Sequence, residues 1–375
     1  MLIKKVIVFV LVVTVFAFDV SSVAAPTVSA GSAIVMDADS CNVIFSKNAD
    51  MTRSMASTTK IMTALLAIES GKLNCTVTAP YDILCDGTAI GIKKGDSFTL
   101  ETLVWAMLLE SGNDAAQLTA IYLAGSQEDF SALMNSKAKE IGMNNTSFVT
   151  ASGLDDENHY TTAYDMALLA SCAVKNPVFR KMCSAETKKV EYISPDVTVT
   201  YSNHNKLLKM YDGVFGIKTG FTKKSGRCLV SACEKDGITL VAVTLNAADD
   251  WNDHISMYDY SFSVSFSEVL EFEIPAKISV YGGKCSELTI AAEKVNINSF
   301  QSENVRCEVY LPEFIYAPVS CGDKIGSVRV YADGKFVSEY SVISLGDTDA
   351  YESDNKPRFS FIYKLKYIIN NHLKG

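Results

Sequence analysis

Three short groups in this sequence have the residue types and spacing that nucleophilic acyl transfer needs: Ser57-Thr-Thr-Lys60, Ser111-Gly-Asn113 and Lys218-Thr219-Gly220. A serine hydroxyl becomes an effective nucleophile when an adjacent base takes its proton. Residues at i and i+3 share a helix face, so a Lys60 amine lies within hydrogen-bonding reach of the Ser57 hydroxyl. That amine must be neutral to act as base, and both burial and the positive end of a helix disfavour its ammonium form. The ordinary reading of Ser-x-x-Lys is a serine N-cap with a solvated lysine, and about one such match arises by chance in a chain of this length. Ser136-Lys-Ala-Lys139, on a polar stretch, fits the ordinary reading. At Ser57 a capping box would want Glu or Gln where Lys60 stands, so the local choice is poor for capping. The other groups also have imitators: Ser-x-Asn recurs at Ser40 to Asn42 and Ser302 to Asn304, and Lys224-Ser-Gly226 copies the third. Order, wide spacing and context separate the three from these copies.

The contexts are a helix start, a break between helices, and a strand. After Lys60, apolar residues at Ile61, Leu65 and Ile68 follow the spacing of a buried helix face, and Gly71 stops it. Ahead of it, the runs Ala33 to Asp37 and Asn42 to Phe45 flank the polar turn Ala38 to Cys41, which predicts a β-hairpin. Leu100 to Glu110 is apolar nearly all round and predicts a helix at the centre of a domain. Ser111 and Asn113 then sit on a break before a second helix from Asp114 to Leu123, and Ser126 caps a third that runs to Gly142. A polar loop from Gly153 to Tyr160 leads into a helix from Thr162 to Val174. Val214 to Gly220, Arg227 to Cys233 and Ile238 to Leu245 read as consecutive antiparallel strands, the last two joined at Asp236-Gly237. The class is α+β, a helical cluster on an antiparallel sheet. Beyond about Phe266 only short β-like runs occur (Glu273 to Val280, Glu287 to Ile290, Arg306 to Leu311, Gly326 to Tyr331), which predicts a small all-β domain without visible chemistry.

At 375 residues, 48% hydrophobic and 21% charged, the chain is long enough for two globular domains. Lys4-Lys5, the apolar run Val6 to Phe18 and the small residues through Ala24-Ala25 form the three regions of a secretory signal, with an uncleaved anchor as the alternative. Processing near Ala24 or Ala25 gives the layout 1–25 signal, 26–265 catalytic domain, 268–345 β-rich domain and 346–375 tail, in an exported protein of the cell envelope. A net charge of −9, without basic clusters interleaved with aromatics, excludes nucleic acid as a partner. The ten Cys and four His show no metal-ligand spacing, so no metal or other cofactor is expected. The cysteines serve as well for small core residues as for disulfides, and no pairing follows. The tail from Lys356 to Ile369 is basic and aromatic; its apolar residues fit alternation as well as a helical stripe, leaving a membrane-surface segment and a strand as alternatives.

The longer strings around the three groups are Ala56-Ser-Thr-Thr-Lys-Ile-Met-Thr63, Ser111-Gly-Asn-Asp-Ala-Ala116, His159-Tyr-Thr-Thr-Ala-Tyr-Asp165, Asn203-His-Asn-Lys-Leu-Leu208 and Gly216-Ile-Lys-Thr-Gly-Phe-Thr222. Together, over roughly Gly31 to Leu245, they resemble the serine-type D-alanyl-D-alanine carboxypeptidases, the low-molecular-mass penicillin-binding proteins. The resemblance implies a penicillin-binding-protein/β-lactamase-like transpeptidase fold followed by a small all-β domain. It implies a peptidoglycan stem peptide ending in D-Ala-D-Ala as substrate, and β-lactams as acylating inhibitors. Ser57 is then the nucleophile, Lys60 its base, and Ser111 a proton relay to the leaving amine. Asn113 holds the substrate backbone, Lys218 and Thr219 bind the terminal carboxylate, and Gly220 lets substrate approach the strand edge. The Ser57 and Phe221 N–H groups form an oxyanion hole. Met55 departs from the Pro that members often carry, and Lys223-Lys224 is also less usual. Four rivals stand beside this reading. A Ser-His-Asp triad through His159 and Asp165 duplicates the base that Lys60 already provides. A class A β-lactamase would need a Glu-x-x-Leu-Asn loop that Glu157-Asn-His-Tyr160 lacks. A catalytically weak peptidoglycan-binding protein, or an endopeptidase, would share the fold.

Overall fold

A computed structural model of the chain describes residues 10–11, 24–270, 276–292, 295–300, 305–332 and 334–351. The leader, apart from 10–11 and 24–25, and the tail beyond Tyr351 lie outside the described residues, as do positions 273–275 of the Glu273 to Val280 run. The chain falls into two compact units, one comprising 19–268 with 298–301, the other 269–297 and 302–375 together with 1–18.

The first unit is built on a five-stranded antiparallel sheet. Its strands are β1 (Ser32–Asp37), β2 (Val43–Lys47), β3 (Val214–Thr222), β4 (Gly226–Lys235) and β5 (Ile238–Ala247), in the order β2-β1-β5-β4-β3. The expected β1–β2 hairpin forms, with Val35 opposite Phe45. Asp236 and Gly237 at positive φ make the tight β4–β5 turn, the conformation such two-residue hairpins demand. Strands β1, β4 and β5 are buried along nearly their whole length, because both faces of the sheet are covered. On one face lie Ala33, Val35, Leu240 and Ala242 with Met257 and Tyr258 of α8 (Asp250–Val264). On the other lie Ile34, Met36, Val241 and Val243 with the helical cluster. Helix α8 escapes the sequence reading because its polar residues interrupt the apolar stripe. Its buried His254 is held instead by Ser231 and Thr244, and Tyr258 by Ser231.

The cluster comprises α1 (Lys60–Glu69), α2 (Leu100–Trp105), α3 (Asn113–Ala124), α4 (Gln127–Ile141), α5 (Ala163–Lys175) and α6 (Pro177–Cys183). Short α7 (Leu207–Met210) precedes β3. Capping follows sequence: Ser126 and Thr162 accept from the N–H groups of Asp129 and Asp165. The apolar stretch Leu100 to Glu110 is helical throughout, but its last turn, Ala106–Glu110, has the wider π geometry. A π turn at a helix end is frequent beside functional sites.

Among its described residues the second unit is all-β. Lys277–Tyr281, Glu287–Ala292, Val305–Tyr310, Lys324–Ala332 and Lys335–Ser344 pair antiparallel, and Phe314–Tyr316 runs parallel to the first of them. Ile278, Val280, Leu288, Ile290, Val328 and Val342 form its core. All ten cysteines are free thiols; Cys183, Cys228 and Cys233 are packed inside the first unit as small apolar groups.

Candidate active site

The Ser57 turn is not a capped helix start. Ala56–Thr59 forms a single 3₁₀ turn ahead of α1, entered through Met55 with no side-chain cap, and Ala56 takes a left-handed φ of 48°. Such a conformation costs a non-glycine residue about 1–2 kcal/mol and needs outside support. The support comes from the loop before α5: a Cβ on Gly153, itself at φ +88°, would lie 1.9 Å from the Ala56 carbonyl oxygen, so only glycine lets the two backbones meet. The turn leaves Ser57 half-buried and puts Lys60, fully buried, one turn behind it.

Lys60 Nζ has three partners: Ser57 Oγ at 2.9 Å, Asn113 Oδ1 at 2.6 Å and the Ser152 carbonyl at 2.7 Å. Two of these can only accept. A neutral amine donates its two N–H groups to them and turns its lone pair to the Ser57 hydroxyl, the arrangement a base requires. The Lys60 pKa is driven well below the ordinary lysine range, first by burial and then by the charge of Lys218; Cys85 and Asp114 oppose this. The burial expected from sequence is the first of these causes, and the second lysine adds to it.

Asn113 begins α3, and its side chain is engaged at both ends. Oδ1 accepts from Lys60 and Nδ2 donates to the Asp86 carbonyl at 2.6 Å. The side chain therefore holds the Lys60 amine in place, and each end keeps one further hydrogen-bonding position. Ser111 sits on the break as expected, with a left-handed φ of 63° and 9% exposure, and its hydroxyl makes no hydrogen bond among the described residues. Asp114, fully buried, accepts from the N–H groups of Ile90, Gly91 and Ile92 and so ties the 86–92 loop to the start of α3.

Lys218, Thr219, Gly220 and Phe221 lie on β3, the sheet's edge strand, paired to β4 on one side only. One face of the strand meets the Ser57 turn at Gly220. A Cβ on Gly220 would fall 3.0 Å from Ser57 N and 3.1 Å from Thr58 N, so this glycine is needed first for contact between the strand and the Ser57 turn. Lys218 is 1% exposed; its Nζ donates to the Thr219 carbonyl, and burial pushes its pKa down to about 7. Thr219 is half-buried, and the Phe221 side chain is exposed.

The rival triad does not form. His159 Nε2 meets Thr59 Oγ1, not Ser57, while Asp165 accepts from Asn145 N and Thr146 Oγ1. Three parts of the site carry no sequence signal. Ser152 and Asp86 act through main-chain carbonyls, which any residue supplies, and Cys85 is an isolated thiol whose nearness to Lys60 depends on the tertiary fold.

Sequence and fold are shared with known proteins. The family described as D-alanyl-D-alanine carboxypeptidase matches residues 19–249. The D-alanyl-D-alanine carboxypeptidase DacF of Bacillus subtilis is 32% identical over 85% of this chain and 85% of its own. DacC of Escherichia coli is 31% identical over 90% of this chain and 88% of its own. The crystal structure of the D-alanyl-D-alanine carboxypeptidase DacD from Francisella tularensis superposes with a TM-score of 0.62 at 27% identity, covering 90% of this chain and 98% of that one. With an α+β fold shared with solved penicillin-binding proteins, and relatives of this identity along most of its length, the chain belongs to the D-alanyl-D-alanine carboxypeptidase family of serine peptidases.

Proposed function

We propose that the protein removes the terminal D-Ala from peptidoglycan pentapeptide stems through an acyl-enzyme on Ser57, and that β-lactams acylate the same residue. The observation that carries this reading is the fully buried Lys60 amine, held by two pure acceptors and facing the Ser57 hydroxyl. Lys60 takes the Ser57 proton as Oγ bonds to the carbonyl carbon of the penultimate D-Ala. The oxyanion is held by the N–H groups of Ser57 and Phe221. Ser111, through its free hydroxyl, passes the proton from Lys60 on to the leaving D-Ala nitrogen as the C–N bond breaks. Water then attacks the ester carbonyl, Lys60 accepts its proton, and the bond to Oγ breaks as Lys60 returns that proton to Ser57. An extended stem peptide lies along the free edge of β3, which offers unpaired main-chain groups, with Asn113 on its other side. Lys218 and Thr219 receive the terminal carboxylate; a bound anion restores the ammonium form that burial alone brings close to neutrality.

Export through the leader, a catalytic domain at 26–265 with a β-rich domain at 268–345, and contact of the basic aromatic tail with a membrane surface complete the proposal. Among the described residues no helix is long and apolar enough to cross a membrane. Assay of D-Ala release from a free pentapeptide tests the core of it. Wild-type protein and Ser136→Ala release D-Ala equally, and Ser57→Ala releases none while keeping its thermal transition; release by Ser57→Ala overturns the assignment.

A further inference from the structure

Loop 147–153 and the nucleophile turn are distant in sequence, yet each supplies a part of the Lys60 cage. The loop gives the Ser152 carbonyl, and the turn gives Ser57. His159, 3% exposed, stands between them. Its Nδ1 accepts from the main-chain N–H of Val149 at 2.9 Å and of Thr150 at 3.3 Å. Nδ1 is therefore unprotonated, and the neutral ring carries its proton on Nε2. That nitrogen lies 2.8 Å from Thr59 Oγ1, and the Thr59 hydroxyl in turn donates to the Ala56 carbonyl at 2.8 Å. The chain of donors runs in one direction: His159 Nε2–H to Thr59, Thr59 O–H to Ala56. It ends on the residue whose left-handed backbone aims Ser57.

We propose that His159 is a positioning residue: it clamps the Ser57 turn to the loop whose Ser152 carbonyl holds Lys60, and so keeps nucleophile and base in register and water out of the cage. Three consecutive attachments fasten this loop to α1 and the turn before it. Thr59 is held through His159, Lys60 donates to the Ser152 carbonyl, and Thr63 Oγ1 donates to the Ala151 carbonyl at 2.6 Å. Removing the first lets the loop move away from the turn while the other two remain. The Phe148 ring packs edge-on to the imidazole with centroids 5.9 Å apart, which fixes its plane. Among the described residues His159 makes no hydrogen bond to Ser57 or to β3, so its hydrogen bonds act through Thr59 and the loop. The inference rests on the Ser57–Lys60 reading.

A histidine that merely stabilised the fold would alter melting and leave the kinetics of the folded protein unchanged. A clamp on the cage has a further signature. When the cage loosens, water reaches Lys60, its desolvation falls, and its pKa rises toward the ordinary lysine range. The acid limb of the acylation rate against pH then moves to higher pH. The charged and titratable groups around Lys60 are Lys218, Cys85 and Asp114, and those facing His159 are Asp155 and Asp156; all are left in place.

The experiment measures the rate of acylation by a fluorescent penicillin from pH 5 to 10 in the full chain. Wild type, Thr59→Val, Thr59→Ser and His159→Gln are compared at a temperature where circular dichroism shows each to be folded. Thr59→Val keeps the side-chain volume and deletes only the hydroxyl, which protects the test if the His159 variant fails to fold. The clamp predicts that Thr59→Val slows acylation at neutral pH about ten- to a hundredfold and moves the acid limb to higher pH. Thr59→Ser restores both rate and limb, and His159→Gln behaves as Thr59→Val. A Thr59→Val protein that melts earlier but keeps the wild-type rate and limb overturns the clamp. Absence of labelling in the wild type would instead overturn the proposed function.

Discussion

Two lysines of this site, Lys60 and Lys218, are almost wholly buried. Each has a folded-state pKa below its unfolded value, so unfolding takes up protons between the two values and stability rises with pH across that window. For Lys218 the window opens near pH 7 and closes near the ordinary lysine value; below it the full cost of the buried charge is present. Lys218→Met is accordingly expected to raise the melting temperature at pH 6–7 by several degrees, with the gain shrinking as pH approaches 10. Scanning calorimetry at several pH values checks this, and a gain independent of pH would rule out the charge as its source. The same lysine separates substrates. A charge-assisted contact with a carboxylate is worth about 1.5–3 kcal/mol, so Lys218→Gln lowers turnover of a free pentapeptide by roughly ten- to a hundredfold. Turnover of an amidated pentapeptide falls much less. Equal losses on both would mean that Lys218 acts through Lys60 rather than on substrate. Lys60→Arg, which cannot give up its proton, is expected to slow acylation by about 10²–10⁴. At this scale the proposed roles of Ser57, Lys60 and Lys218 follow from side-chain type, which sequence states directly, and the pairing of Ser57 with Lys60 follows from helical spacing. The main-chain carbonyls of Ser152 and Asp86 could not be read in this way.

At the scale of elements, the site exists because three backbones come together where side chains would keep them apart. The Ser57 turn meets β3 at Gly220 and the loop before α5 at Gly153. Gly153→Ala places a methyl group 1.9 Å from the Ala56 carbonyl in a left-handed conformation. We expect a stability loss above about 3 kcal/mol and loss of penicillin acylation, measured by denaturant unfolding and labelling. A variant of wild-type stability and activity would show that the loop and the turn are not in contact. The hairpin, α1, α3 to α5 and the three consecutive strands were legible because periodicity and capping agree with the final packing there. The π turn before Ser111 and the 3₁₀ turn at Ser57 were not, since both depart from local preference at the site itself. Helix α8 was missed for a different reason: its stripe mixes buried polar groups with apolar ones, and their partners come from β4 and β5.

For the whole molecule, every residue assigned to the reaction falls in the first compact unit, whose core is formed from its own helices and sheet. A chain spanning 26–268 is therefore expected to acylate with penicillin at a rate close to that of the full protein, with any effect of the β-rich unit seen on wall-bound substrate only. N-terminal sequencing of protein recovered from the cell envelope is expected to begin near Ala25, and full-length protein in the cytosol would contradict export. The short β-like runs beyond 268 were legible as strands, but their pairing, including the parallel Phe314–Tyr316 strand, was not, because alternation fixes which face is buried and not which neighbour is met. The claim on which the account turns is that Ser57 alone forms the acyl-enzyme. Peptide mapping by mass spectrometry after incubation with a reporter penicillin tests it most directly. The account predicts one adduct, on the peptide that contains Ser57, and none in Ser57→Ala protein; an adduct at Ser111 or Ser136, or undiminished labelling of Ser57→Ala, would contradict it.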